Sequence, residues 1–177
     1  VTDDLTRLYN HRVLAPRLDE EVKRAERYGT PLALLMLDLD HFKRVNDIYG
    51  HPFGDEVLRA FVERVRAEVR QTDIFIRRGG EEFLLVMPTT GGDEAMKVAE
   101  RIRERVAGGR LDWHGEKVGI TVSVGVASYG GDDRTLDALV HDADLALYAA
   151  KKAGRNCVRA APIRPRRSGE AHRETSK

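Results

Sequence analysis

The sequence predicts an α/β fold of the α+β kind: an antiparallel-rich central sheet on a β-α-β-β-α-β core, with helices packed on one face. Three observations predict it. The run from Leu32 to Leu37 in "PLALLMLDLD" is apolar without a break, as a central strand buried on both faces would be. "DIFIR" and "EFLLVMP" flank Gly79 and Gly80 as the two arms of a hairpin. Around these strands lie segments whose apolar residues recur at helical spacing.

Residues 13–28 place Val13, Leu14, Leu18, Val22, Ala25 and Tyr28 at steps of three and four, with Pro16 near the start and Gly29 past the end, which reads as an amphipathic helix. After the central strand we expect a short helix at about 42–49, a turn at Gly50 to Gly54, and a long helix to about Arg70. The inner face of that long helix carries Val57, Leu58, Phe61, Val62, Val65 and Val69. Pro52 disfavours helical geometry at His51 and gives the break its cause. The hairpin follows, then another amphipathic helix at 93–106. "VGITVSVGVASY" alternates, is rich in β-branched residues and reads as one strand. The last helix is expected at 136–152, before Gly154, with "NCVRA" as a terminal strand. Residues 1–158 form one expected domain, and 159–177 a basic tail with little apolar content, expected to be disordered.

Composition narrows the function classes. With 41% hydrophobic and 33% charged residues, 177 residues suffice for one domain with a real core. No apolar run reaches membrane-span length, the amino terminus lacks a secretory pattern, and the single Cys157 cannot close an internal disulfide; a cytoplasmic, reduced setting is expected. The net charge of +1 conceals a tail with six Lys/Arg against two Glu, so the body is mildly acidic. Such a body excludes a general nucleic-acid binder, and no basic or aromatic track marks a polymerase. Histidine and cysteine lack zinc-ligand spacing, and no P-loop or nucleophile elbow is present.

The stretch "RRGGEEF" admits two readings, a plain tight turn whose glycines accept φ > 0 or a site that lets another molecule approach the backbone. Asp38 favours the second, because six apolar residues precede it and a carboxylate there needs a partner. In the expected sheet the first strand and the hairpin are neighbours, which sets Glu81 beside Asp38. Two converging carboxylates suit Mg²⁺, with positions left for phosphate oxygens. Asp40 is either part of this set or a cap for the helix beginning near Phe42. The amides near His41–Arg44, Phe42 among them, offer an anion site together with Lys43. "KKAGR" offers Lys151 and Arg155, which serve equally well as routine cations at a helix end. Asn46 and Asp55 bracket the short turn; a carboxylate can take two hydrogen bonds from the guanine edge, and the alternative is a helix-start acid beside a surface asparagine.

Taken together, "DDLTRLYNHR", "DLDHFKRVNDIYGHPFGDEVL", "RRGGEEF", "TVSVGVA" and "YAAKKAGRN" resemble, in order and spacing, the GGDEF-domain diguanylate cyclases, with the signature in its GGEEF form. The resemblance covers roughly residues 3–158. It implies a palm-like, nucleotide-cyclase-like domain that condenses two GTP into cyclic di-GMP and releases pyrophosphate, each of two facing domains holding one GTP. It further implies Mg²⁺ (or Mn²⁺) on Asp38, Glu81 and the Leu39 carbonyl, with Glu82 as the second signature acid. Asn46 and Asp55 become guanine readers; Phe42, Lys43, Lys151 and Arg155 sit with the phosphates; and Gly79 and Gly80 let GTP lie against the turn. Members that make mixed or adenine-containing dinucleotides carry serine where Asp55 stands, so the carboxylate favours GTP. The family's product-inhibition motif "RxxD" matches "RQTD", Arg70 to Asp73, with Arg101 a second contact by position.

Two departures stand out. Arg7 replaces the glycine, and His11 the first arginine, of the usual "DxLTGLxNRR" opening, which puts the path of the amino-terminal turn in question. No sensory domain precedes the motif, so an upstream regulatory domain is expected in a longer protein. A second class of function is a catalytically silent module that binds GTP or cyclic di-GMP and regulates a partner.

Overall fold

The strand β2 (Leu32–Leu39) is buried at all eight positions, and its alternation divides the molecule. Ala33, Leu35, Leu37 and Leu39 enter one core, while Leu32, Leu34 and Met36 enter another on the opposite face. In this computed structural model, which describes residues 2–129 and 136–162, the order of elements follows from that division. They run β1 (Tyr9–Asn10), α1 (His11–Tyr28), β2, α2 (Phe42–Tyr49), α3 (His51–Arg66), β3 (Ile74–Gly79), β4 (Glu82–Pro88), α4 (Gly92–Gly108), β5 (Arg110–Trp113), β6 (Glu116–Gly119), β7 (Val122–Tyr129), α5 (Leu136–Lys152) and β8 (Val158–Ala160).

Six strands form one sheet in the order β1-β3-β4-β2-β7-β8, with β5 and β6 as a separate ribbon. The inner pairs are antiparallel and the two edge pairs parallel. One core joins Leu35, Leu37, Phe83 and Leu85 to Phe61 and Val62 of α3 and Ile102 of α4. The other joins Leu34, Met36, Leu84 and Val86 to Leu18 and Val22 of α1 and Leu139, Ala143 and Leu147 of α5. Truncating one of these leucines to alanine costs about 3 kcal/mol. Among the described residues no helix is long and apolar enough to cross a membrane.

Several expectations are corrected. Helices cover both faces rather than one, because a strand apolar at both parities leaves neither face fit for water. The turn between α2 and α3 is Gly50 alone, and Pro52 falls in the first turn of α3, where its missing N–H has no intrahelical partner to lose. That helix ends at Arg66, so Arg70 lies beyond it. The expected single strand at 118–129 is two: β6 pairs with β5 around His114–Gly115, and β7 starts afresh at Val122. The ribbon is anchored by Trp113, whose ring lies 5.0 Å from that of Phe53. Finally, β8 crosses the expected boundary at 158, because Arg159 and Ala160 pair with Gly125 and Val126; the tail from 163 lies outside the described residues.

Candidate active site

Period-two alternation carries β2 past its apolar stretch. Asp38 and Asp40 continue the face of Leu34 and Met36, the face that α5 covers. Asp38 sits in the ladder between Glu82 of β4 and Ser123 of β7, only 5% exposed. Its Oδ2 accepts a hydrogen bond from Lys151 Nζ at 2.5 Å, and this lysine stands in the last turn of α5. Burial pushes the Asp38 carboxyl above the usual carboxylate range; Lys151 pulls it down, and Glu81 and Glu82 push it further up.

The ladder partner of Asp38 is thus Glu82 rather than Glu81. Glu81 occupies the turn one residue beyond, where its carbonyl accepts the Leu39 N–H at 3.2 Å. Gly79 ends β3 after a bulge at Arg78, and Gly80 takes φ 49. Of these two glycines, only Gly80 has positive φ. A side chain at either glycine would meet nothing within 4 Å, so nothing inside the fold crowds these positions. Open backbone of this kind gives room to a molecule from outside.

Asp38, Leu39, Asp40, His41, Phe42, Lys43, Glu81, Lys151 and Arg155 line one cleft of about 160 Å³. His41 begins α2 at φ 55 with no side-chain cap, which leaves the first amides of the helix available at the cleft. The sequence places Asp38, Leu39, Phe42, Lys43, Glu81, Lys151 and Arg155 in the site, and the fold brings them together. Glu82, Asn46 and Asp55 stand outside this lining. Asn46 lies in α2 and Asp55 in the first turns of α3, and the Asn46 Oδ1 is buried without a hydrogen-bond partner. Asp40 does not cap α2; its carboxylate accepts from Ser123 Oγ at 2.6 Å, Thr121 Oγ1 at 2.7 Å and the Asn156 N–H at 3.0 Å.

Arg70 and Asp73 meet at a second place, a cavity of about 510 Å³ lined also by Arg7, Tyr9, Arg66 and Phe75. The Asp73 Oδ2 accepts the Arg70 N–H at 2.8 Å, while its Oδ1 is buried and unpartnered, and burial raises its proton affinity. The Arg70 guanidinium pairs with Glu94. Arg101 is not in that lining; it and Arg105 pair with Glu68.

Sequence reasoning assigned no role to Arg77, which ties the signature turn to the chain's beginning. Its guanidinium donates to the Gly80 carbonyl at 2.8 and 3.1 Å and to Asp3 at 3.0 and 3.1 Å. Asp3 in turn accepts from the Thr6 N–H and Oγ1, closing a turn in which Arg7 takes φ 61. The departure at Arg7 therefore occupies a conformation that glycine adopts freely, and the turn forms with arginine there. No local signal marks a pairing across 74 residues.

The family described as diguanylate cyclase, GGDEF domain, matches residues 1–157. Response regulator PleD of Caulobacter vibrioides is 46% identical over 160 residues, which are 89% of this chain and 35% of that protein. Diguanylate cyclase DgcP of Pseudomonas aeruginosa is 42% identical over 88% of this chain and 23% of its own length. The chain thus spans about a third or less of these relatives. Among solved structures, the GGDEF domain of DgcB from Caulobacter crescentus in complex with c-di-GMP superposes with TM-score 0.87 and 36% identity, covering 92% of this chain and 93% of that one. The active GGEEF domain of a diguanylate cyclase from Vibrio cholerae does so with TM-score 0.82 and 33% identity, over 89% and 99%. With the family matched along nearly the whole chain and the cleft assembled from its signature residues, the chain belongs to the GGDEF-domain diguanylate cyclase family.

Proposed function

We propose that this domain joins two GTP molecules into cyclic di-GMP, one GTP held by each of two facing copies. One observation carries the reading: around an uncrowded glycine turn, Asp38 and Glu81 share a cleft with Lys43, Lys151 and Arg155. That arrangement suits a triphosphate, whose charge needs cations, and a metal, which needs carboxylates.

The donor set is all oxygen, as a hard divalent cation requires, and diguanylate cyclases generally use such a metal. Among the described residues no three His, Cys, Asp or Glu form a ready-made metal cluster. Asp38, Glu81 and the Leu39 carbonyl would hold Mg²⁺ only in company with ligand oxygens. Once bound it offsets the negative charge that grows in phosphoryl transfer. The protein's own part is alignment. Lys43, Lys151, Arg155 and the first amides of α2 hold phosphates, and Lys151 has its ammonium beside Asp38 already. Asn46 and Asp55 read the guanine edge; the Asn46 Oδ1 has an acceptor site to spare. Glu82 supports the charge balance from the adjacent ladder position. A single cleft aligns one triphosphate, so closing a ring from two nucleotides needs a second copy opposite.

The test is to incubate concentrated protein with GTP, ATP and Mg²⁺ and separate the dinucleotides by chromatography. Cyclic di-GMP, formed at a rate rising faster than linearly with protein concentration, is the expected result; GTP bound but unconverted at every concentration would leave a binding module instead. Arg70 and Asp73 are assigned to product inhibition, with Arg101, tied to Glu68, as a weaker candidate. Arg70→Ala should raise the inhibition constant at least tenfold, and an unchanged constant rejects the assignment.

A further inference from the structure

We propose that Asp40 is a positioning residue that sets Arg155 at the cleft by holding the loop after α5. Its use to the enzyme rests on the reading above, in which Arg155 meets phosphate.

Asp40 is only 5% exposed, and its carboxylate meets neutral donors: the hydroxyls of Ser123 and Thr121 at the start of β7 and the backbone N–H of Asn156. Three neutral donors fill acceptor positions that a buried carboxylate would otherwise leave unmet. The donors come from two different segments, so the carboxylate joins them. The third segment it joins is its own, since the Asp40 N–H donates to the Thr121 carbonyl at 2.9 Å.

The loop needs holding. Gly154, Arg155 and Asn156 take φ 111, 63 and 44 in succession; asparagine tolerates this region, but the arginine side chain disfavours it. Such a path persists only when its surroundings determine it. Arg155 N–H reaches the Ala150 carbonyl at 3.1 Å, Arg103 Nη1 reaches Asn156 Oδ1 at 3.0 Å, and Val124 N–H reaches the Cys157 carbonyl at 3.0 Å. These contacts tie the loop to α5, α4 and β7. Asp40 is what ties it to the wall of the cleft that carries Lys43. Without Asp40, the residue next to Arg155 loses its link to that wall, and the backbone of Arg155 loses the anchor that sets it at the cleft.

The experiment combines local hydrogen exchange with a double-mutant cycle on GTP affinity. In Asp40→Ala the amides of 154–157 should exchange at least tenfold faster, while those of β2 and β4 keep their protection. GTP binding should weaken about tenfold in Asp40→Ala and in Arg155→Ala, and by about the same factor, not a hundredfold, in the double variant. Asp40→Asn should restore binding, because its amide oxygen can serve Asn156 while Ser123 Oγ rotates to accept from the amide NH₂. If Asp40→Ala does not fold, Asp40→Ser, too short to reach Asn156, takes its place. Unchanged exchange at 154–157 overturns the positioning role whatever GTP does, as does full additivity. Faster exchange with GTP affinity untouched by Arg155→Ala would keep the positioning role and remove the phosphate assignment.

Discussion

Two carboxylates leave β2 two residues apart, equally buried at 5% exposure, and their surroundings are opposite. Around Asp40 the fold supplies three neutral donors. Around Asp38 it supplies one ammonium, Lys151, together with two further acids, Glu81 and Glu82. The first region is complete in itself and links three chain segments. The second gathers negative charge that burial already disfavours, an arrangement that makes sense when a cation joins it. Burial alone therefore does not tell the two carboxylates apart; the balance of their neighbours does.

The largest effect should come from removing charge at the incomplete region. Asp38→Asn and Glu81→Gln should each lower cyclic di-GMP formation by at least about 10³-fold, roughly 4 kcal/mol of transition-state stabilisation. Stability should move the other way. Because the folded protein raises the Asp38 pKa, its contribution is most favourable below the ordinary value of 3.8 and is lost as pH rises through the raised folded value. Asp38→Asn should therefore melt no lower than the parent at neutral pH, and Lys151, about a third exposed, keeps its hydration. Asp40→Ala, which orphans three donors, should lose about 2 kcal/mol. Thermal melts beside product chromatography check this, and equal destabilisation by both variants would break the comparison.

Both regions hang from the seat of α5 on β7, and Gly125 makes that seat. A Cβ there would lie 2.3 Å from the Ala143 carbonyl oxygen and 2.3 Å from the Leu147 nitrogen, both backbone atoms that cannot swing aside. Gly125→Ala should cost about 3 kcal/mol by denaturant titration and should lower activity too, because Lys151 and the Asn156 N–H move with the helix. A variant as stable as the parent would mean that α5 rides on β7 more loosely than these distances allow.

Much of this was legible in the sequence, for reasons that differ by element. The strand Leu32–Leu39 and the helix at 42–49 are written in composition and period, and the site residues on them follow from their position at a strand exit. The face that Asp38 points to was not legible until α5 was placed, since a strand apolar at both parities does not say which helices cover which side. The ribbon Arg110–Trp113 with Glu116–Gly119 was missed because four-residue strands carry too few apolar positions to show alternation. Glu82 as the ladder partner follows from the unbroken β2–β4 register, Leu32 opposite Pro88 through Asp38 opposite Glu82, and composition does not encode that register. Asp40 was left between two readings and Arg77 passed over because their partners, Asn156 and Asp3, lie 116 and 74 residues away.

The smallest predicted effect concerns a third carboxylate, and it sharpens the contrast by inverting its pH dependence. Burial pushes the Asp3 carboxyl up, yet the hydrogen bonds from Thr6 and the Arg77 guanidinium together outweigh burial and hold it below its ordinary value of 3.8. A lowered folded pKa means that the stability Asp3 contributes is present above 3.8 and is lost as pH falls through the lower folded value. Asp3→Asn should accordingly cost about 1.5 kcal/mol at pH 7 and progressively less in acid. Activity should stay within about twofold of the parent, because Arg77 keeps its two hydrogen bonds to the Gly80 carbonyl and the signature turn with them. Melts across pH check the sign. Relative to the parent, Asp3→Asn should fall behind as pH rises from acid to neutral while Asp38→Asn gains. Two curves moving together would mean that the surroundings of these acids, one neutralised by its neighbours and one crowded by like charge, do not differ in the way their contacts require.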